Sequence, residues 1–570
     1  MKRSSWRLAS VVSAAIVALS GLPAAEPQSP SPRSRDAATA PKLVVIIVVD
    51  QMRADYVDRF QPEWTGGLKR LVASGAWFRQ AAYPYLTTVT CPGHATVATG
   101  VYPRVHGIMQ NTWFDRDRGR ITTCTDDPAA HNIGYATKVP GGDSAHRLMA
   151  PTLADVLRAR GGRVVSLALK ERSAIMLAGH GGDAVTWLSN ELDEWVTSSA
   201  FSTGPVGAVK AFLDANPIDA DYEKIWERLL PLARYREADD GLGEAPPAGW
   251  TTTFPHALNG TTGRPDNAFH RLWERSPYGD AYVGRFAAAL VESMQLGRHE
   301  STDVLGVSFS TPDLVGHAFG PRSQEIHDVY ARLDRTIGTL LERLDRGVGR
   351  DRYVVALTAD HGVTPIPEQL KKEGRDAGRL TAAADLATFI DARAKALAGD
   401  FKYVSRVVGN DVYFERGMYE RLQQSPDAMK GVVDAVLARE GIARVFRAEE
   451  VRDGAKATDP LLRAAALSYY PGPSGDLILI PKPGWMFSAR GTTHATANAD
   501  DQRVPILVMG AAVKPGTYWQ PASPADVAPT LAALCGVTLP STDGRVLSEA
   551  IAARRNRTTL DTASSGRSRP

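Results

Sequence analysis

Residues 43–50 read LVVIIVVD, an unbroken apolar run, largely β-branched, that ends on a carboxylate. A continuous run of this length predicts a strand covered on both faces, as in a parallel sheet, because a half-exposed strand would alternate polar and apolar residues. Four further short runs share this character, at 164–169, 304–309, 353–357 and 505–509. Together they predict a largely parallel central sheet.

Helical patterns lie between these runs. Residues 151–160 precede the second predicted strand, and within 323–344 the apolar residues recur at helical spacing. Strands that alternate with helices are typical of α/β proteins, in which helices cover the sheet. The predicted fold class is therefore α/β, with helices flanking a central sheet.

Two long stretches do not follow this alternation, at about 185–285 and 368–490. We interpret them as insertions that wall or cap a site on the main sheet, within one catalytic domain that spans residues 42–545. Before it, residues 26–41 are rich in Pro, Ser and Ala, which predicts a flexible leader. After it, the Arg- and Ser-rich residues 554–570 predict a disordered tail.

The N-terminus has the pattern of a secretory signal peptide over residues 1–25. Lys2, Arg3 and Arg7 precede an apolar segment, and small residues suited to cleavage follow it. The pattern predicts a periplasmic or secreted protein, with an uncleaved anchor as the alternative. No later apolar run has spanning length, so no stable membrane span is expected after cleavage.

Charge and cysteine content exclude two further classes. Cleavage would remove three cations and no acid, so the formal net charge of +3 falls to zero, which gives no support for nucleic-acid binding. Three cysteines are too few for a disulfide scaffold. An oxidising compartment would permit a Cys91–Cys124 bond, but the sequence cannot establish its geometry. Since no coiled-coil or interface signature is present, a monomer is expected.

Carboxylates and imidazoles lie next to several predicted strands. The carboxyl ends of the strands are where an open α/β sheet binds ligands. A lone Asp there is usually a helix N-cap and a lone buried His is usually structural, but six such residues at one edge are hard to explain in that way. Zinc binds this mixture of donors, and two zinc ions would clamp both oxygens of an in-line displacement. The six candidate ligands are Asp50, Asp313, His317, Asp360, His361 and His494.

A nucleophile is offered by residues 87–108, TTVTCPGHATVATGVYPRVHGI, where Thr90 precedes Cys91 and a helix is predicted to begin. Helix-start amides and a metal would both favour ionisation of a threonine hydroxyl. Cys91 is the competing nucleophile and would suit a metal-free site. We favour Thr90 because the candidate ligands suit oxygen chemistry, although the motif taken alone is a weak signal.

Lys170 and Arg172 follow the second predicted strand, in residues 166–180, SLALKERSAIMLAGH. Alternation along an extended segment would point both side chains the same way, toward one ligand. Asn111, in residues 107–115, GIMQNTWFD, can donate its amide to a phosphoryl oxygen. Taken alone, such Lys and Arg residues are usually solvated charges, and such an Asn is usually a turn residue.

Five segments in order carry a family resemblance: VVDQMRADY (48–56), TTVTCPGHATVATGVYPRVHGI (87–108), TPDLVGHAFGP (311–321), LTADHG (357–362) and GTTHATANADDQRVPILVMG (491–510). Over residues 42–539 the chain resembles the alkaline phosphatase superfamily. The most similar branch is shared by nucleotide pyrophosphatase/phosphodiesterases and PafA-like, phosphate-irrepressible alkaline phosphatases. The resemblance implies two Zn²⁺ sites, with Thr90 as ligand and phosphorylated nucleophile at the second. The implied sets are Asp313, His317 and His494 for the first and Asp50, Asp360 and His361 for the second.

Asn111, Lys170 and Arg172 resemble the Asn and Lys-x-Arg that PafA-like monoesterases direct at the phosphoryl group, whereas diesterase relatives are expected to lack the Lys-x-Arg pair. The resemblance therefore implies an alkaline phosphatase of small phosphate monoesters that works through a phosphothreonine. The first alternative is a phosphodiesterase or nucleotide pyrophosphatase with the same metals and nucleophile. A more distant alternative is a non-catalytic, metal-stabilised exported binding protein. Sulfatases require Cys or Ser followed by x-Pro-x-Arg, and Cys91 is followed directly by Pro92, so that activity is disfavoured.

Overall fold

Strand β1 (Leu43–Val49) lies inside a ten-stranded sheet, and every one of its side chains is buried. Alternate residues of this strand enter two different apolar cores, Val45 and Ile47 on one face and Val44 and Ile46 on the other. Burial on both faces is the reason why the run shows no polar alternation. The predicted α/β fold, with a central sheet between layers of helices, is confirmed.

The structure, a computed structural model, describes residues 40–189 and 194–552 of the chain. Each of the five apolar runs of the sequence coincides with a strand. In chain order the strands are β1 (Leu43–Val49), β2 (Ala76–Ala81), β3 (Thr112–Asp115), β4 (Arg120–Thr123), β5 (Asn132–Gly134), β6 (Val164–Ala168), β7 (Ala184–Ser189), β8 (Glu194–Ser198), β9 (Ile225–Trp226), β10 (His256–Ala257), β11 (Asp303–Phe309), β12 (Tyr353–Thr358), β13 (Gly378–Arg379), β14 (Val404–Val408), β15 (Asp411–Phe414), β16 (Ile442–Arg447), β17 (Leu477–Pro481), β18 (Trp485–Met486), β19 (Ile506–Gly510) and β20 (Gly516–Ala522).

The main sheet has the strand order β20-β2-β19-β12-β1-β11-β6-β7-β8-β5. Its central strands β12, β1, β11, β6 and β7 pair in parallel. Outside them β19 pairs antiparallel with β12, and β8 pairs antiparallel with β7. The parallel character predicted from the sequence therefore describes the centre of the sheet, where β12, β1 and β11 present their carboxyl ends side by side.

Helices cover both faces of this sheet. Residues of α2, α9 and α11 share one core with the sheet, and residues of α3, α5, α6 and α19 share the other. In chain order the helices are α1 (Asp55–Phe60), α2 (Gly67–Ser74), α3 (Thr90–Thr99), α4 (Pro103–His106), α5 (Leu153–Arg158), α6 (Glu171–Ala178), α7 (Gly207–Ala215), α8 (Asn267–Glu274), α9 (Pro277–Ser293), α10 (Thr311–Phe319), α11 (Gln324–Gly347), α12 (Pro367–Lys372), α13 (Ala383–Ala398), α14 (Met418–Gln423), α15 (Pro426–Leu437), α16 (Ala448–Arg452), α17 (Pro460–Ser468), α18 (Ala499–Gln502) and α19 (Val527–Cys535).

The two segments interpreted as insertions differ in their relation to the sheet. Segment 368–490 contains a separate four-stranded sheet, β14-β15-β17-β16, and α13 and α15 pack around its own apolar core. Segment 185–285 begins with β7 and β8, which belong to the main sheet, so its departure from the sheet begins after Ser198. The boundaries of the catalytic domain stay a prediction.

The predicted signal peptide at 1–25 and the predicted tail at 554–570 lie outside the described residues, as does nearly all of the leader at 26–41. Within the part of the chain that the structure describes, no helix combines the length and the apolar character needed to cross a membrane.

Candidate active site

The middle strands of the sheet bring most of the predicted ligands to one edge. Asp50 directly follows β1, Asp360 lies just beyond β12, and Asp313 lies in the first turn of α10, just beyond β11. Because these three strands are parallel neighbours, the loops at their carboxyl ends meet. His361 follows Asp360 along the chain, and His494 arrives from the loop that precedes α18.

The first ligand set consists of Asp313, His317 and His494, whose ligand atoms lie within 4.8 Å of one another. Asp313 Oδ1 is 3.2 Å from His317 Nε2 and 3.6 Å from His494 Nε2. His317 Nδ1 donates to the carbonyl of Thr492 over 2.9 Å. His494 Nδ1 donates in the same way to the carbonyl of Thr88 over 2.7 Å. Since a carbonyl only accepts, Nδ1 carries the proton of each neutral imidazole, and Nε2 then offers its lone pair to the site, as in metal-binding histidines. Burial would lower the pKa of His317, but the carboxylate of Asp313 outweighs it and raises the pKa.

The second ligand set consists of Asp50, Asp360 and His361, and two of its atoms are buried without a partner. Asp360 Oδ2 and His361 Nε2 lie 3.2 Å apart, and neither has a hydrogen-bond partner among the described residues. His361 Nδ1 donates to the carbonyl of Gly362 over 2.9 Å, so its Nε2 carries a lone pair. Two facing acceptors at this separation fit a cation with bonds of about 2.0–2.2 Å to both. The rings of His361 and His494 stack with centroids 3.6 Å apart, so the two sets adjoin.

His94 is a further imidazole at the second ligand set, and the sequence did not single it out. Its ring nitrogens lie 3.5 Å from Asp50 Oδ1 and 3.6 Å from Asp360 Oδ2, a grouping compact enough for a metal. Both nitrogens are already engaged, because Nδ1 donates to the Thr90 carbonyl over 2.9 Å and Nε2 lies 3.0 Å from Ser308 Oγ. We therefore keep His94 outside the ligand set and infer that it holds the start of α3 in place.

Thr90 is the first residue of α3, where the sequence predicted that a helix begins, and it is almost wholly buried. The first turn of a helix presents backbone N–H groups, so Thr90 lies where developing negative charge is stabilised. Residues four apart share a helix face, which is why His94 reaches back to the Thr90 carbonyl. That spacing is the signal in the sequence by which His94 could have been found.

Cys91, the rival nucleophile, forms a disulfide with Cys124. Its sulfur is therefore not a free thiolate, and the alternative of a cysteine nucleophile is wrong. Both cysteines also hold Asn111: the Cys91 N–H donates to Asn111 Oδ1 over 2.7 Å, and the Cys124 N–H donates to the Asn111 carbonyl over 2.9 Å. With its side-chain oxygen engaged beside Thr90, Asn111 has its NH₂ group left to donate to a ligand.

Lys170 lies between the two ligand sets. Its Nζ is 2.9 Å from Asp50 Oδ2 and 2.6 Å from Asp313 Oδ2, and its side chain is 5% exposed. Burial alone would lower the pKa of Lys170, but the carboxylates of Asp313 and Asp50 outweigh it and raise the pKa, so the ammonium stays charged. With Asp360, three buried carboxylates surround one ammonium, and this excess of negative charge favours bound cations.

The protonation of the ligand side chains also favours a metal near neutral pH. Burial, followed by the negative charge of Asp50, raises the pKa of Asp360 to about 7. Burial lowers the pKa of His361 to about 4. Burial, together with the neighbouring His361, lowers the pKa of His494 to about 4 as well. Both imidazoles are therefore neutral and able to bind a metal, and a nearby cation would draw the proton from Asp360.

Arg172 departs from the sequence-based prediction. Lys170 is the N-cap of α6 and Arg172 lies in its first turn, so the segment is a helix start and not an extended strand. The extended conformation on which that prediction rested is therefore wrong, because helical geometry already begins at Glu171. The phosphate-binding role of Arg172 stays a prediction. Arg172 Nη1 is 2.9 Å from Glu171 Oε1, while its buried Nε has no hydrogen-bond partner among the described residues. One donor of the guanidinium is thus uncommitted.

The chain falls into the class of α/β proteins that gather Asp and His side chains at one edge of a sheet, around a threonine at a helix start. Comparison with known families identifies the family within this class. Residues 44–502 match the type I phosphodiesterase / nucleotide pyrophosphatase family. This match covers most of the chain, and the chain belongs to that family.

Individual relatives of known name are similar to this chain over most of its length. Alkaline phosphatase PafA from Elizabethkingia meningoseptica is 30% identical over 541 residues, covering 92% of this chain and 96% of PafA. Alkaline phosphatase PhoK from Sphingomonas sp is 33% identical over 547 residues, covering 90% of this chain and 91% of PhoK. The crystal structure of wild-type PafA matches with a TM-score of 0.82 at 29% identity, covering 90% of this chain and 99% of the PafA chain. A second PafA structure, with a TM-score of 0.83 at 28% identity over the same shares of the two chains, is a variant substituted at one Thr, one Asn, one Lys and one Arg. The predicted family resemblance is confirmed.

Proposed function

We propose that this protein is an exported alkaline phosphatase, which hydrolyses small phosphate monoesters through a phosphothreonine at Thr90 and binds two Zn²⁺ ions. The curated relatives, named as alkaline phosphatases, support the broader class of phosphatase. The observation that carries the choice of monoesters is the position of Lys170. Its ammonium group lies between the two ligand sets, 2.9 Å from Asp50 and 2.6 Å from Asp313.

The donor atoms of the two ligand sets fit zinc. Each set combines imidazole nitrogen with carboxylate oxygen, a mixture that zinc accepts and that magnesium or calcium does not favour. The unpartnered Asp360 Oδ2 and His361 Nε2 face each other in the second set. Bound zinc ions would supply positive charge to the attacking and leaving oxygens of an in-line displacement.

The residues around these sets then carry out two displacements. Thr90 Oγ1 attacks phosphorus in line, and its bond to phosphorus forms as the ester P–O bond breaks and the alcohol leaves. Water next attacks the phosphothreonine, which releases phosphate and restores the hydroxyl. His94 holds the Thr90 backbone through both steps with its 2.9 Å hydrogen bond. Asn111, Lys170 and Arg172 donate to the non-bridging oxygens, where negative charge must be stabilised.

Cationic donors distinguish a monoester from a diester. A monoester dianion carries one more charged oxygen than a diester, in which that oxygen bears a second organic group. Donors directed at this extra oxygen therefore favour monoesters. Lys170 supplies one such donor, and the unpartnered Nε of Arg172 supplies another. The substituted PafA variant carries its changes at the residue types Thr, Asn, Lys and Arg, the same types in the same order as the residues proposed here.

A substrate panel tests the proposal against the alternative of a phosphodiesterase or nucleotide pyrophosphatase, which the name of the family favours. Zinc-replete protein is assayed with 4-nitrophenyl phosphate, its methyl diester and 4-nitrophenyl sulfate. We expect kcat/KM for the monoester to exceed that for the diester by at least about a hundredfold, or about 2.7 kcal/mol. A larger kcat/KM for the diester would overturn the monoesterase proposal.

A second experiment tests Thr90 as the nucleophile. Protein quenched in acid during turnover is digested, and the peptide that contains Thr90 is examined for phosphate by mass spectrometry. Thr90→Ala should lose both the phosphopeptide and the activity. Thr99→Ala is the matched control, because Thr99 is equally buried in α3 and donates locally to the Ala95 carbonyl over 2.6 Å. Phosphate on another residue, or activity retained in Thr90→Ala, would contradict the assignment.

Export is proposed from the signal-peptide pattern at residues 1–25. Expressed in a Gram-negative host, the protein should appear in the periplasm or the medium with an N-terminus near residue 26. An unprocessed N-terminus on protein that stays in the cytoplasm would contradict this part of the proposal.

A further inference from the structure

A cleft of about 950 Å³ opens beside His317. His317 is the predicted ligand that reaches it, since 37% of its side chain is exposed, compared with 6% for His494 and none for His361. The candidate site therefore meets the cleft on the side of the first ligand set. Thr90 is tied through His94 to the opposite, second set. In an in-line displacement the leaving group departs on the side away from the nucleophile, and here that side is the cleft.

One wall of the cleft, residues 487–493, is held by Arg379 of β13 and packs against His317 of α10. Arg379 donates to the carbonyl of Ser488 over 3.1 Å and to that of Gly491 over 3.0 Å. Gly491 packs so tightly that a Cβ there would lie 2.2 Å from the His317 carbonyl oxygen. This wall therefore holds a fixed position next to His317.

The opposite wall contains α8, which is fixed at both ends. At its start, Asp266 Oδ1 accepts from the N–H groups of Ala268 at 3.0 Å and Phe269 at 3.1 Å. Near its end, Trp273 Nε1 donates to Asp221 over 2.8 Å. Asp266 Oδ2 is occupied by the hydroxyl groups of neighbouring threonines. The carboxylate of Asp266 is thus committed to hydrogen bonds that hold the wall. It is the one acidic side chain in a lining that contains three arginines, so the cleft keeps an excess of positive charge.

Three arginines line the cleft, and two of them have no counter-ion among the described residues. Arg275 pairs with Glu274 on the same wall. Arg271 projects from α8 and Arg490 from the opposite wall, and neither forms an ion pair within the residues that the structure describes. Both guanidinium groups are exposed and have no ionic partner among the described residues, and each projects from a segment that hydrogen bonds hold in place, so together they can bind an anion.

About half of the remaining lining residues are apolar. Leu272, Leu314 and Phe487 contribute to the same cleft. Apolar surface with a few convergent charges is typical of a site for an organic ligand that carries its own charged group. A leaving alcohol without a charge would gain nothing from Arg271 and Arg490.

We propose that this cleft binds the leaving group and selects phosphate monoesters whose alcohol carries a second anionic group, either a carboxylate or another phosphate. Arg271 and Arg490 pair with that second anion, while the apolar lining covers the carbon skeleton between it and the scissile phosphate. The inference rests on the proposed function and deepens it by naming a substrate class. A guanidinium group binds carboxylate and phosphate by the same bidentate chemistry, so the experiment must separate the two.

Two matched substrate pairs separate charge from shape. The first pair is 4-carboxyphenyl phosphate and 4-carbamoylphenyl phosphate, and the second is 1,4-phenylene bisphosphate and 4-methoxyphenyl phosphate. In wild-type protein we expect kcat/KM for the charged member to be higher by on the order of tenfold in at least one pair, and the pair with the larger ratio identifies the anion. Ratios near one in both pairs would overturn the inference.

Variants then assign the effect to the cleft. The charged-to-neutral ratio should fall toward one in Arg271→Gln and in Arg490→Gln. Arg444→Gln is the matched control, since Arg444 is exposed on β16 and, within the described residues, its side chain donates only to the adjacent Ala443 carbonyl. The control should keep the wild-type ratio. Equal ratios in all three variants would overturn the inference even if wild-type protein prefers charged substrates.

A binding measurement keeps the inference separate from the proposed function. If no monoester is hydrolysed, the proposed function fails, and the cleft is tested by the affinity of the full-length protein for 4-hydroxybenzoate and 4-hydroxybenzamide, using saturation-transfer NMR. We expect the carboxylate to bind tighter by on the order of tenfold, and Arg271→Gln and Arg490→Gln to remove that difference. Equal affinity for the two compounds would overturn the inference.

Discussion

Replacement of Lys170 by methionine removes the charge between the two ligand sets and keeps most of the side-chain volume. The Lys170 side chain is 5% exposed, and its ammonium lies 2.9 Å from one carboxylate and 2.6 Å from another. A hydrogen bond from such a charged group contributes about 1.5–3 kcal/mol, so its loss should lower kcat/KM for a monoester by roughly 10- to 150-fold. A diester has no third charged oxygen to receive the ammonium, and we expect its kcat/KM to fall by less than about tenfold.

The same substitution should change stability in a metal-dependent way. Without the ammonium, Asp50, Asp313 and Asp360 repel one another in a buried volume. Removal of one partner from a buried charge cluster costs about 3–5 kcal/mol, so the metal-depleted variant should unfold at a lower temperature than wild-type protein. Bound zinc would replace the missing positive charge, and the difference in Tm between the two proteins should shrink when zinc is restored.

The assay compares kcat/KM for 4-nitrophenyl phosphate and its methyl diester, together with Tm with and without zinc. Lys210→Met is the control, because Lys210 also pairs with a carboxylate at 2.8 Å, that of Asp214, but is 49% exposed and lies on α7. It should behave as wild type in both measurements. The reasoning is refuted if the diester loses as much activity as the monoester in Lys170→Met, or if the metal-depleted variant is as stable as wild-type protein.

Two further predictions concern groups of the site, and a third concerns Asp501, a buried carboxylate of α18 whose backbone carbonyl accepts from the Gly362 N–H over 2.7 Å. By metal analysis, His361→Gln should retain one zinc ion fewer than wild type. His94→Gln should retain the full amount of zinc but have a lower kcat. The reverse result would make His94 the metal ligand and His361 the residue that only supports the site. Substitution of both disulfide cysteines by serine should lower kcat/KM by on the order of tenfold, because the Asn111 amide is no longer fixed. If the same substitution lowers kcat/KM equally in an Asn111→Ala background, the disulfide does not act through Asn111. Burial raises the pKa of Asp501 to about 7, so its contribution to stability is full below about pH 4 and is lost as the pH rises through about 7. Urea unfolding of metal-depleted protein should therefore show the free energy of unfolding of wild type falling relative to Asp501→Asn between pH 5 and 8, and a constant difference would contradict this.

The local sequence pattern determined the fold class and the edge of the sheet at which the site lies. A run such as Leu43–Val49 avoids water only if it is covered on both faces, so its composition is sufficient to indicate a central strand. Asp50 and Asp360 directly follow such strands, and that position alone predicts that they meet. The sequence also predicted that a helix begins at Thr90, and Thr90 is the first residue of α3.

Short-range patterns were insufficient where a helix start and an extended segment look alike. Lys170 and Arg172 follow a strand closely, and the sequence pattern predicted that the extended conformation of the strand continues through Arg172, whereas α6 begins at Glu171. The N-cap position of Lys170 is decided by the packing of α6 on the sheet, which no window of a few residues contains. The position of the Lys170 ammonium between the two ligand sets is therefore decided by tertiary structure.

Only the tertiary structure separated residues that are chemically alike. His94 and His361 are both imidazoles near buried carboxylates. Both His94 nitrogens have partners, whereas His361 Nε2 has no hydrogen-bond partner in the described part of the chain. Arg271 and Arg490 lie far apart in the chain and share a cleft only after folding. Strand and helix formation depend on neighbours along the chain, whereas hydrogen-bond satisfaction, protonation and metal binding depend on which distant groups share one buried, weakly screened volume.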